Sequence, residues 1–469
     1  MAKTEQRLVP GRFRPNTITL SGQGGTQDLK FFALEVIIYE NVLQNCIFAD
    51  VSLGDAKNLI RELRLKGGGS NEKVKISFQS SSPIRGSSLD FEFIVYGIEN
   101  RSLKEDREQF YTLRCISEEG YNDSSRVATK RFDGEPQAVL QQIYDEYVSI
   151  GKGLDFFGVT FKKPEFVMTA NYWSGFRAMN YACKQNAPNL PYMLNVLYFQ
   201  SDKKNYCTSL SRMRHVYKSS RKLYDYFELL PNLDAESAGG DGSNRPTEYS
   251  YIHPFVHASY NVIRNFSGPI LSNAVQDLNT GYMGTLGIGF DMMKRLPYHM
   301  MFDYTPNQAG VPGLPAVAGN KALIKEKFGS FHHLAPVNPI SDQVKFHPYS
   351  NVRMKVGNHN LWDDKEFGYE KKFFYDTVYR DTAVSEITRN QVDITVNGRT
   401  DVDLGQLVYI RIPDVGPRGM GRADGKGREE DKRTSGLYQI IGIRHEFKFG
   451  DEFDHQMKLE CIRDAHEEG

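Results

Sequence analysis

Cleaving a glycosidic bond takes two carboxyl groups held several ångströms apart, one to protonate the leaving oxygen and one to attack or to activate water. Asp363, Asp364 and Glu366, just after Trp362, and the adjacent pair Glu118 and Glu119 are the acidic groups that invite such chemistry here. Their spacing fixes no separation, and acidic residues beside turns ordinarily face water. His253 and His257 stand four apart, as two metal ligands on one helix face would, yet Pro254, Phe255 and Val256 omit the glutamate of a metalloprotease helix. His332 and His333 run into Leu334, Ala335 and Pro336, a loop signal, with no carboxylate cluster at ligand spacing. No metal is expected.

Glycine runs at Gly22, Gly24 and Gly25 and from Gly284 to Gly289 lack the strand before and helix after that a phosphate loop needs. Gly425 and Lys426 imitate such a loop briefly, but Met420 replaces its first glycine and Gly427 replaces the hydroxyl residue that would hold magnesium. No cofactor is expected, and no catalytic residue is assigned. Cys46, Cys115, Cys183, Cys207 and Cys461 are scattered, odd in number and free of any C-x-x-C pair. They read as reduced, mostly buried side chains and not as a disulfide framework.

One polar segment stands apart. Between Val415 and Thr434, Arg418, Arg422, Lys426, Arg428, Lys432 and Arg433 alternate with Asp424, Glu429, Glu430 and Asp431 among glycines. Its charge nearly cancels, so it reads either as a solvated hairpin tip or as a loop that orders against a neighbouring subunit. On the second reading those cations are subunit-docking residues.

The elements around that loop are strands. Val392 to Val396 alternates apolar and polar residues before a turn at Asn397 and Gly398, and Gly405 to Pro413, Gly436 to Phe447 and His455 to Asp464 follow the same pattern. Together they predict a compact antiparallel sheet of a barrel suited to assembly. Nearer the N-terminus, Phe32 to Glu40 and Asn45 to Val51 are strands, and Asp55 caps a short helix through Leu63. Lys73 to Gln79, Leu89 to Ile98 and Gln109 to Ser117 run as a meander, with Leu89, Phe91, Phe93 and Val95 on one face. Pro136 to Ser149 is a helix that plugs or covers this barrel, its apolar stripe being Val139, Leu140, Ile143, Tyr144 and Tyr147. A second helix spans Gly175 to Lys184 with Ser174 as its N-cap, and Tyr192 to Gln200 pairs with Asn205 to Thr208 as a hairpin. Gly281 to Asp291 reads as a strand, Thr305 to Asn320 as a Pro/Gly-rich loop, and Asp234 to Glu248 as an interdomain loop.

The chain's 469 residues correspond to about three or four domains. Lys plus Arg equals Asp plus Glu at 58 each, which gives no support to a protein that coats DNA, since counterion release needs a basic excess. The first residues lack the apolar core of a secretory signal, and no window approaches the roughly 18 apolar residues of a membrane span. A cytosol-like compartment is therefore expected. Aromatic residues make up 12%, a share that favours sheets and packed interfaces.

The order of segments resembles the baseplate hub proteins of contractile-tailed bacteriophages. Phe91 to Arg101, Gln109 to Glu119, the basic strand Val127 to Phe132 and the helix after it carry the likeness in the first domain. Asn171 to Asn180, then Gly281 to Met283 with Phe290, Asp291 and Phe302 to Tyr304, continue it. It ends with Val396 to Gly398, Leu404, Gly405, Ile412, Pro413, Ser435 to Tyr438, Arg444 and His445. Residues 234–248 and 305–375 depart from it and read as insertions.

The resemblance implies a β-rich α+β fold of two tube-type antiparallel β-barrels with covering helices and an inserted middle domain. The expected layout is a flexible N-terminus over 1–16, a first tube domain over 17–150, and a connecting helix with the start of a second tube domain over 151–232. An inserted peripheral domain over 233–380 and C-terminal strands over 381–469 complete it. The missing strands of the second barrel are expected near Tyr192 to Thr208. The implied role is a structural homotrimer whose pseudo-sixfold ring joins a sixfold tail tube to a threefold spike. Its partners would be tail tube, central spike, baseplate wedge and tape-measure proteins, with genomic DNA passing through, in a virion tail assembled in host cytoplasm. A tail-associated cell-wall hydrolase using the Asp363 region and a tail-tube or secretion-tube subunit are the alternatives.

Overall fold

Strict alternation sets most of the strands: along Glu108–Ser117, Gln109, Tyr111, Leu113, Cys115 and Ser117 are buried and their neighbours are not. The structure is a computed structural model. It describes residues 11–68, 71–80, 88–104, 108–161, 165–186, 196–202, 204–219, 224–228, 261–268, 284–291, 296–309, 320–327, 352–357, 390–412, 434–450 and 452–463.

The first strands are β1 (Phe13–Gly22), β2 (Gly25–Asp28), β3 (Ala33–Asn41), β4 (Phe48–Asp55), β5 (Lys73–Ser80), β6 (Ser88–Lys104) and β7 (Glu108–Ser117), with helix α1 (Leu59–Glu62) between β4 and β5. After α2 (Glu118–Ser125) come β8 (Arg131–Gly134), α3 (Pro136–Ile143), β9 (Leu154–Asp155), β10 (Phe166–Thr169), α4 (Gly175–Gln185), β11 (Val196–Gln200), β12 (Asn205–Ser209) and α5 (Leu210–Ser219). The later strands are β13 (Tyr224–Glu228), β14 (Val262–Ser267), β15 (Gly284–Asp291), β16 (Leu296–Ala309), β17 (Asn320–Lys327), β18 (Val352–Gly357), β19 (Asn390–Asn397), β20 (Leu407–Arg411), β21 (Gly436–Lys448) and β22 (Asp454–Arg463).

One 13-stranded sheet carries most of these, in the order β2-β1-β5-β6-β7-β4-β3-β21-β20-β13-β14-β19-β22, and β22 also pairs with β21. That last pairing returns the order to β21, so β21, β20, β13, β14, β19 and β22 form a closed ring of hydrogen-bonded strands. The first strands close as well. β3 pairs along Gly442–Lys448 of β21, and at the start of β22 Asp454 bridges Arg12 while the His455 N–H donates to the Gly11 carbonyl at 2.7 Å. The β21–β22 hairpin thus belongs to both rings. A bulge between Ile440 and Gly442 marks where β21 leaves its pairing with β20 and takes up β3.

Each ring has its own core. Ile18, Val36, Ile38, Val51, Leu53, Val74, Phe78, Leu113 and Phe447 fill the first; Val392, Ile394, Val396, Val408, Ile410, Ile443, Met457 and Leu459 fill the second. A third core lies between α3, α4 and two small sheets, around Phe132, Leu140, Ile143, Tyr144, Met179, Tyr198 and Cys207. The helix expected over Pro136 to Ser149 to plug or cover the first barrel instead packs its apolar stripe into this third core, and after Ile143 it widens to a π-helical turn over Tyr144–Val148. The Ser174 cap is present, its hydroxyl accepting from the Arg177 N–H at 3.3 Å.

Two expectations are corrected. β11 and β12 do pair, but they lie in a three-stranded sheet with β9, because Val196, Tyr198 and Cys207 turn into the helical core; β13 and β14 occupy the second ring instead. Helix α1 is a single turn, since β4 continues to Asp55 and Asn58 adopts a left-handed backbone at φ 62°. The expected strand over Gly281 to Asp291 is β15, in a four-stranded sheet ordered β17-β16-β15-β18. β16 runs on to Ala309, into the expected loop, whose residues 310–319 lie outside the described residues.

Candidate functional site

β22, β21, β3, β4 and β7 lie side by side, and their inward side chains feed both strand cores. Their other face is one surface common to the two rings. The registers align Lys458, Arg444, Tyr39, Phe48 and Ile116 in one row and Gln456, Glu446, Ile37, Asp50 and Arg114 in the next. Opposite charges meet across and along these rows. Lys458 Nζ is 2.9 Å from Asp393, Arg444 Nε is 2.8 Å from Glu446, and Arg114 spans Asp50 at 2.5 Å and Glu99 at 2.8 Å. These carboxylates hold Arg114 charged even more firmly than usual, the Asp50 hydrogen bond contributing most. Arg444 also stacks over the Tyr39 ring at 5.3 Å, and the Asn41 amide donates to Glu460 at 2.9 Å. Burial raises the Glu460 carboxyl above its ordinary range, with the Asp393 charge adding to it. The surface is a field of paired charges with half-buried aromatic and aliphatic groups between them.

Beneath this face, where the rings share their hairpin, lies a buried polar chain. Ser80 at the end of β5 contacts His455 Nδ1, His455 Nε2 is 3.1 Å from His445 Nδ1, and His445 Nε2 is 3.8 Å from Glu40. Glu40 also accepts from the Asp202 N–H at 3.0 Å. All four chain members are buried, both histidines to 2% exposure or less. Burial lowers the His445 pKa to about 4, and burial together with the His445 charge lowers that of His455 well below 6.5. In the sequence His445 stands out only as part of a motif, and His455 only as a strand end. Parity signals their burial: His445 keeps step with Ile443 and Phe447, and His455 with Met457 and Leu459.

The sequence candidates lie elsewhere. Glu118 pairs with Lys73 at 3.3 Å, while the 1%-exposed Glu119 side chain lies 3.4 Å from Lys152 and 3.5 Å from the Asn205 amide. The two carboxylates open helix α2 behind the Ser117 cap, each engaged with its own cation. All five cysteines are free and buried, Cys183 and Cys207 with their sulfurs 3.6 Å apart, and burial pushes the Cys46 thiol up to about 12. Asp363, Asp364, Glu366, His253, His257, His332, His333 and the cations Arg418, Arg422, Lys426, Arg428, Lys432 and Arg433 lie outside the described residues. Among the described residues no His, Cys, Asp and Glu group could hold a metal, and no helix is long and apolar enough to cross a membrane.

No family model matches the chain, and no curated protein matches it. Solved structures do. The tail protein from Neisseria meningitidis is 9% identical, with 97% of each chain covered and a TM-score of 0.52. The 43 kDa tail protein of prophage MuSo2 from Shewanella oneidensis is also 9% identical, over 95% of this chain and 98% of that one, at a TM-score of 0.47. A component of the E. coli type VI secretion system is 7% identical over 98% and 78%, at 0.38. The chain has the fold of a tail protein, the class of protein that its sequence resembles.

Proposed function

We propose that this chain is the baseplate hub of a contractile phage tail, acting as a structural adaptor and not as a catalyst. Three copies, each bringing two tube-type barrels, would make a pseudo-sixfold ring between a sixfold tail tube and a threefold central spike. The observation that carries this reading is the β21–β22 hairpin common to two closed strand rings, which joins the two rings within one chain. Tail tube, spike, wedge and tape-measure proteins would be the partners, and DNA would pass through the ring. The paired surface suits that passage, because Arg114, Arg444 and Lys458 are engaged by carboxylates and are poorly placed to hold phosphates.

In this reading the 17–150 unit is the first tube domain, the insertion expected over 233–380 narrows to the stretch between β14 and β19 because β14 belongs to the second ring, and the charged loop docks against the next subunit. The test is the mass and rotational symmetry of the purified protein, by light scattering and averaged particle images. A closed trimer with six similar lobes is expected. A hexamer, an open stack or a persistent monomer would remove the adaptor reading.

A further inference from the structure

We propose that the chain Ser80, His455, His445, Glu40 is an acid-sensitive latch. With both imidazoles neutral it clasps the shared hairpin to the first strand ring, and acidification releases that closure while the second ring stays shut.

The geometry supplies the reason. A neutral arrangement satisfies the first two links: the Ser80 hydroxyl donates to His455 Nδ1 and His455 Nε2–H donates to His445 Nδ1, while His445 Nε2 faces Glu40 across 3.8 Å. Both nitrogens of His455 and Nδ1 of His445 are then committed as donor or acceptor. A proton arriving at His445 Nδ1 would set two N–H groups against each other across 3.1 Å, and one arriving at His455 Nδ1 would turn the serine link around. Space for repacking is scarce, since the Phe447 ring stacks on His455 at 4.1 Å and Gly398 also lies against the His455 ring.

The two rings depend unequally on this point. At β22 the second ring is held by an eight-position ladder from Asn390 to Asn397 against Gln456 to Arg463. The first ring closes there through one bridge, Arg12 to Asp454, with backbone bonds from His455 to Gly11 at 2.7 Å and from Phe13 to Phe453 at 3.4 Å. Among the described residues, the charged groups around the latch are Glu40 on β3, Arg12 paired with Glu452, and Arg264 on β14, 3.9 Å from Asp454. Glu40 is the carboxylate that faces a latch nitrogen, and at 3.8 Å from His445 it lies beyond hydrogen-bond reach.

The sign follows from proton uptake. His445 is lowered to about 4, so the closed form stays neutral where an opened histidine, near its ordinary 6.5, takes a proton. The latch is therefore fully effective above about pH 6.5 and weakens as pH falls towards 4.

Hydrogen exchange of the purified full chain at pH 7 and pH 5, corrected for intrinsic rates, tests this. Opening of residues 12–20 and 74–80 should increase on the order of tenfold at pH 5, with residues 390–397 and 407–411 unchanged. His445→Gln and His455→Asn should each reduce the pH response, and the double variant should abolish it, whatever their opening at pH 7. Should a variant fail to fold, imidazole nitrogen shifts of the wild-type protein at pH 6 decide, both rings being expected neutral. Equal loosening of both strand rings, a variant that keeps the wild-type response, or a His445 that titrates near 6.5 would overturn the latch.

Discussion

Gly398 shows why a residue can be legible as a type and illegible as a cause. Beside Asn397 it reads as a turn, but its tightest constraint is distant: an added Cβ would meet the His455 ring at 2.1 Å. Gly398→Ala should destabilise the protein by about 1–3 kcal/mol through overpacking, measured as a lower urea midpoint with an unchanged slope. Asp55 reads as the cap of a short helix, but the cap position falls to Asn58, and Asp55 ends β4 as a buried acceptor. Its carboxylate accepts from the Lys57 N–H at 2.9 Å, the Leu59 N–H at 2.7 Å, the Gln109 amide at 2.9 Å and the Tyr111 hydroxyl at 3.1 Å. The last two donors come from β7, which local spacing cannot reveal. Asp55→Ala strands all four donors in a buried site and should cost about 3 kcal/mol, whereas loss of a surface cap would cost about 1 kcal/mol. Chemical denaturation separates those two magnitudes.

At the scale of elements, the strands that alternate were readable, and so was the Lys73 to Ser117 meander, because successive strands pair with their neighbours in sequence. The strands completing the second ring were not. β13 lies parallel to both β20 and β14, and such pairings join segments far apart in the chain, where no turn signal announces the partner. Tyr198 and Cys207 show the reverse case: their hairpin has the alternation of a barrel strand pair, but its apolar face turns into the helical core. Sharing of β21 has a measurable consequence. Phe447→Ala should lose about 3–5 kcal/mol and raise hydrogen exchange in strands of both rings, because one strand serves both. Val408→Ala, on β20, should raise exchange in the second ring and leave β4 and β7 protected. If Phe447→Ala loosened the first ring alone, the hairpin would not couple the two.

For the whole molecule, balanced charge was evident from composition, and its arrangement was not. Arg114, Arg444 and Lys458 become paired only when β3, β4, β7, β19, β21 and β22 are brought into register. A surface whose cations are already engaged offers little attraction to another subunit, so long-range attraction in assembly should come from charges not committed within the chain. The loop carrying Arg418, Arg422, Lys426, Arg428, Lys432 and Arg433 is the proposed source. Its position between β20 and β21 gives it the same anchorage as the shared hairpin, so order gained by docking would be transmitted to both rings. Replacing those six cations with serine should leave the thermal midpoint of the dissociated chain within a degree or two, since surface changes away from cores contribute little to folding. Self-association should weaken by at least about tenfold and lose most of its salt dependence. Sedimentation across a dilution series at low and high salt reads both effects. A variant that assembled like the wild type at every dilution would exclude the loop from subunit docking.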